Sequence, residues 1–116
     1  MIIMAAESTR SPNRPPSHPG AILRDIVLPG AELPVSQAAR RLGVSRQTLH
    51  RLLAEKVGVT PAMALRLSRL FGSSPDFWLR MQQSHDLWHE CRSMAGEIKA
   101  IEPIERAVSP VWAEAT

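Results

Sequence analysis

The sequence predicts an all-α domain of five helices, and three observations carry that prediction. Apolar residues recur at steps of three and four, proline and glycine bracket each such run, and no stretch alternates as a strand or offers a hairpin turn. His18-Pro19-Gly20 leads into AILRDIVL, where Ile22, Leu23, Ile26 and Val27 keep helical spacing until Pro29-Gly30 ends the first helix. After a PGAEL turn, Pro34 suits the first turn of a second helix, where its missing N–H is no loss, and Gly43 stops that helix after Leu42. Ser45 supplies an N-cap oxygen for a third helix ending near 56–58. Thr60-Pro61 starts a fourth, MALRLSRLF, with Gly72 just past its end, and Met63, Leu67, Leu70 and Phe71 as its core face. Ser74-Pro75-Asp76 repeats the start signal. The fifth helix is long, and Phe77, Met81, Ser84, Trp88, Cys91, Ala95 and Ile98 line one face, read as core or dimer contact.

With 116 residues, 44% of them hydrophobic and 22% charged, the chain can bury one core without metal or disulfide staples. No apolar run approaches the roughly 18 to 20 residues that span a membrane, so no membrane association is expected. MIIMAAESTR has neither the basic start nor the apolar core of an export signal. The single Cys91 fits a reducing cytoplasm and excludes an intramolecular disulfide. Residues 1–17, rich in serine and proline, are expected to form a flexible arm, 18–99 the folded domain, and 100–116, with Pro103 and Pro110, a loosely ordered tail.

The net charge of +3 matters less than its placement. Arg40, Arg41, Arg46, Arg51, Lys56, Arg66 and Arg69 stand against Glu55 alone, whereas the chain from 93 onward is mildly acidic. At about 100° per residue, Arg46, Gln47, His50, Arg51 and Ala54 share one face of the third helix; Thr48, Leu49, Leu52 and Leu53 share the other. One face can dock on a core while the opposite face carries long donors and almost no carboxylate. Arginine can bridge guanine O6 and N7, glutamine adenine N6 and N7, and a helix of this size fits a major groove. The preceding helix keeps a small inner side at Ala38 and Ala39. Gly43 permits a tight turn, and Val44, Leu49 and Leu52 fill the angle between the two helices, which is helix-turn-helix spacing. The N-terminus of the third helix, opened by Ser45, favours a phosphate.

HPGAILRDIVL at 18–28, SQAARRLGVSRQTLHRLL at 36–53 and VTPAMALRLSRLFGSSPDFWLRMQQSHDLW at 59–88 resemble the HigA (VapI-like) antitoxins, within the wider Xre/Cro-like (lambda-repressor-like) helix-turn-helix group. The resemblance implies a five-helix domain that forms a homodimer and binds a palindromic operator in its own promoter. It further implies neutralisation of a HigB-type toxin, an mRNA-cleaving ribonuclease of the RelE group. By the same resemblance Arg46, Gln47 and Arg51 meet bases, Ser45 and His50 lie beside them, and Ser36 and Gln37 touch phosphate. Pro34 stands where the group often has a polar cap.

Other signals have plainer readings. His85 and His89, four apart, lack the glutamate and third ligand of a zinc site, so no metal or other cofactor is expected. Cys91 reads as a small buried hydrophobe, Trp88 as core and His18 as a cap that shapes the start of the first helix. Arg66 and Arg69 suit either phosphate or a solvated face. No paired carboxylates, nucleophile-base set or phosphate loop can be named, so no enzymatic activity is expected. The rival readings are a stand-alone Xre-type repressor without a toxin and a helical protein-interaction module. For the toxin surface, the Pro-rich arm and the first helix are the expectation.

Overall fold

Ala38 and Ala39 are fully buried, and around them the other helices assemble. The computed structural model describes residues 14–105, so the expected arm before 14 and the tail after 105 lie outside the described residues. The first helical run, α1, spans 19–30. His18 is its N-cap, with Nδ1 accepting the Gly20 N–H at 2.8 Å and Pro19 at the first helical position. Its middle, Leu23–Val27, is π-helical: the Leu28 N–H reaches back five residues to the Leu23 carbonyl. Pro29 has no N–H and its ring would crowd the Asp25 carbonyl, so the widened turn lets the helix continue to Gly30 rather than stop before the proline.

The next helix, α2 (Val35–Leu42), begins one residue after Pro34, which occupies the N-cap and offers no side-chain cap. Gly43 closes it at φ 78°, and the Gly43 and Val44 N–H groups bond back to the Arg40 and Ala39 carbonyls. These are the two bonds of a Schellman turn. Then come α3 (Arg46–Leu53), α4 (Pro61–Phe71) and α5 (Pro75–Ser93), each opened by a Ser or Thr whose oxygen accepts an N–H three residues on: Ser45 from Thr48, Thr60 from Met63, Ser74 from Phe77. Gly72 ends α4 at φ 83°. The short α6 (Ala95–Ala100) follows a break at Met94.

One core joins the helices: Leu23 and Leu28 of α1, Leu42 of α2, Leu49, Leu52 and Leu53 of α3, Met63, Ala64 and Leu67 of α4, and Trp78 of α5. The architecture is the expected all-α helix-turn-helix arrangement, but α5 departs from its sequence reading in two respects. The long helix is divided at Met94. Its inward face carries Trp78 and Gln82, so the stripe read as core or dimer contact is not core: Phe77, Ser84, Cys91, Ala95 and Ile98 are exposed, with Met81 and Trp88 only half-buried. The N-terminal anchor sets this rotation, since Trp78 packs inward with its indole N–H on Ser73 Oγ at 2.7 Å. Beyond Trp88 the helix passes the edge of the domain, so the apolar spacing there has no core to meet. Cys91 is exposed rather than buried.

Candidate nucleic-acid interface

The surface of interest is a helix fixed by its neighbours and left free on its outer face. Leu49, Leu52 and Leu53 of α3 are buried, whereas Arg46, Gln47, His50 and Arg51 are all exposed. None of these four makes a side-chain hydrogen bond or ion pair among the described residues. Thr48, expected on the docked face, is exposed as well, and its hydroxyl accepts from Ser45 Oγ at 2.8 Å. Ser45 therefore spends its side chain on the cap, also accepting the Thr48 N–H at 3.0 Å. Ser36 and Gln37 are exposed on the first turn of α2, where the absence of a side-chain cap leaves backbone donors facing outward. Arg40 and Arg41 are exposed on the same helix.

The turn of the two-helix unit and the far end of α3 are each held by an arginine outside the unit. Arg66 of α4 donates through Nη1 to the Leu42 carbonyl at 2.7 Å, and more weakly to that of Gly43 at 3.4 Å. A Cβ at Gly43 would lie 2.7 Å from that nitrogen. Arg24 of α1 donates to the Leu53 carbonyl at 2.9 Å and to Glu55 Oε2 at 3.3 Å, while its other edge pairs with both oxygens of Asp25 at 2.9 and 3.0 Å. These bonds raise the Arg24 pKa and hold Asp25 below the usual carboxylate range. α3 ends earlier than expected, at Leu53, in a second Schellman turn with Glu55 at φ 62° and the Lys56 N–H on the Arg51 carbonyl. Behind it Gly20 touches α3 so closely that a Cβ would collide with the Leu52 carbonyl oxygen.

The connection after α3 is tied down too. Gln82 of α5, buried at 8% exposure, accepts the Val59 N–H at 2.8 Å through Oε1 and donates through Nε2 to Asp86 at 3.0 Å. His18, 4% exposed, packs edge-on to His85 with ring centroids 4.8 Å apart. Burial, then the neighbouring His85, lowers its pKa. The bonds from Arg24 to Leu53, Arg66 to Leu42 and Gln82 to Val59 left no signal in the sequence, because each joins residues at least 23 positions apart. His18 was legible, since its cap is local.

A short outward-facing cationic helix, set across a second helix by a glycine turn, defines a helix-turn-helix protein of the Xre/Cro type. The helix-turn-helix family model matches residues 31–78. Virulence-associated protein I of Dichelobacter nodosus is 40% identical over 73 residues, covering 63% of this chain and 68% of that protein. Antitoxin HigA-1 of Vibrio cholerae is 30% identical over 95 residues, 82% of this chain and 90% of that protein. Among solved structures, the antitoxin HigA of Pseudomonas aeruginosa with the higBA promoter superposes with a TM-score of 0.72 at 36% identity, over 77% of this chain and 98% of that one. The chain belongs to the HigA (VapI-like) antitoxin family.

Proposed function

We propose that this chain is the antitoxin of a HigBA-type pair: a homodimer that represses its own operon and neutralises an mRNA-cleaving HigB-type toxin. On this reading 18–99 is the working domain, its first five helices form the lambda-repressor-like unit, and the protein acts in the cytoplasm at the nucleoid. The observation that carries the DNA half is the outer face of α3, where Arg46, Gln47, His50 and Arg51 stand exposed with no carboxylate of the described residues paired with them. Arg46 and Arg51 bond guanine edges, Gln47 an adjacent base, and His50 and Ser45 lie against the groove wall. Ser36 and Gln37 hold a phosphate at the start of α2, where uncapped N–H groups and the helix dipole favour an anion. Two copies of α3 then enter successive major grooves about 34 Å apart.

The test of the DNA half is an Arg46→Ala, Arg51→Ala variant in gel-shift assays on its own promoter. Losing one bidentate base contact costs roughly 1 to 3 kcal/mol, so binding to the operator falls at least tenfold and its advantage over random DNA shrinks. Unchanged affinity and preference would remove α3 from the reading. The toxin half is tested by co-expression with the product of the adjacent reading frame: co-purification and rescue of growth are the expected result. Operator binding without either outcome identifies a stand-alone repressor instead.

A further inference from the structure

The charge of the folded domain is sorted by face. The cleft between α2 and α4 is lined by Arg41, Arg66 and Arg69. On α5 a different groove, about 410 Å³, has an apolar floor of Val59, Leu79 and Leu87 and a rim that includes Asp86 and Glu90, with no lysine or arginine lining it among the described residues. Leu87 is 61% exposed, a large apolar side chain left open beside two carboxylates. The Asp86 carboxylate is held: Oδ1 accepts from Gln82 Nε2 at 3.0 Å and lies 3.1 Å from His85 Nδ1. Gln82 is in turn anchored on the Val59 N–H, so the floor and the acidic rim share one hydrogen-bonded support. A preset carboxylate loses little freedom when a cation arrives.

Nucleic acid does not suit this groove, since its phosphates would meet Asp86 and Glu90. A protein that cleaves mRNA must itself present cationic surface to hold a polyanion. A segment of such a protein, with lysine or arginine beside apolar side chains, matches the groove in both respects: its apolar residues cover Leu87, Leu79 and Val59 while its cations meet the rim. We infer that the α5 groove is the docking surface for a cationic, amphipathic segment of the RNA-cleaving toxin. This inference rests on the antitoxin reading above, and it locates the toxin surface on α5 rather than on the arm and α1. It also sets toxin and operator on different faces, because α5 packs on α4 and α1 and leaves the outer side of α3 open.

The experiment uses the full chain with Leu87→Lys and Glu90→Lys together, co-expressed with the product of the adjacent reading frame. Both positions are solvent-facing, and Leu87→Ser alone provides a milder variant that adds no charge. Toxin affinity is expected to fall by about 30-fold or more in the double variant, the scale of a hot-spot loss, with growth rescue lost. Operator affinity and solution mass stay as in the wild type, and wild-type toxin binding weakens as salt rises. Toxin binding equal to wild type in both variants overturns the inference while leaving the antitoxin reading intact. A changed solution mass with toxin affinity preserved also overturns it and assigns the groove to a second copy of the chain. A wild-type chain that binds its operator but not the neighbouring product defeats the antitoxin reading itself, and this inference with it.

Discussion

At the residue scale, Gly43 and His18 each answer to a specific atom. Gly43 sits at φ 78°, where an L side chain is strained, and a Cβ there would press on Arg66 Nη1. Gly43→Ala therefore costs about 1 to 2 kcal/mol, the left-handed penalty plus part of the bond to the Leu42 carbonyl. Thermal unfolding should show a Tm lower by roughly 5 to 10 °C. His18 governs a pH response. Its ring nitrogen must be free of a proton to accept the Gly20 N–H, and burial lowers its pKa from the ordinary 6.5. The unfolded chain thus binds a proton that the native one resists. Stability is full above about 6.5, declines as pH falls below that value, and levels off once the native pKa is passed. Urea midpoints at several pH values measure the decline, and His18→Asn, which keeps a capping acceptor but does not titrate, should flatten it.

At the element scale, the placement of α3 depends on helices that never face the outside of the reading surface. Arg24→Met removes the donor to the Leu53 carbonyl and the ion pairs with Asp25 and Glu55 while preserving the apolar stem. The expected outcome is a small loss of stability, read as a lowered urea midpoint, and a weaker operator complex whose base preference is unchanged; a binding-site selection with the variant checks the second point. Much of this layer was readable from local chemistry. The starts of α3, α4 and α5 follow from Ser45, Thr60 and Ser74, and the end of α2 from Gly43, because each signal acts within a few residues. The early end of α3 was not readable, since Glu55 adopts a conformation ordinarily left to glycine and is held there by Arg24 from another helix. The core alternative for the α5 stripe fails for a related reason: its apolar spacing is real, but rotation is set by Trp78 and Ser73, and half the helix lies past the core, which leaves the stripe to the dimer-contact alternative alone. For the interface, the cationic face of α3 was visible on a helical wheel, whereas the arginines that brace it were not.

At the scale of the whole molecule, the segregation of charge predicts how binding responds to solution conditions. Residues 40–69 carry seven cations against one carboxylate, a net +6 where the whole chain has only +3, while the groove on α5 has an acidic rim. If a dimer neutralises about six phosphates, operator affinity falls by about a thousandfold between 50 and 200 mM salt through counterion release. Titrations over that range read the slope directly; a flat response would contradict contact between this face and the phosphate backbone.

The bonds and contacts that orient α3 belong to Gly20, Arg24, Ser45, Leu49, Leu52 and Arg66, while Arg46, Gln47, His50 and Arg51 contribute none of them. The mount and the lettering are carried by separate residues. Exchanging the four outward side chains leaves the support untouched, so this scaffold can acquire a new operator preference by surface substitution alone, without repacking anything beneath.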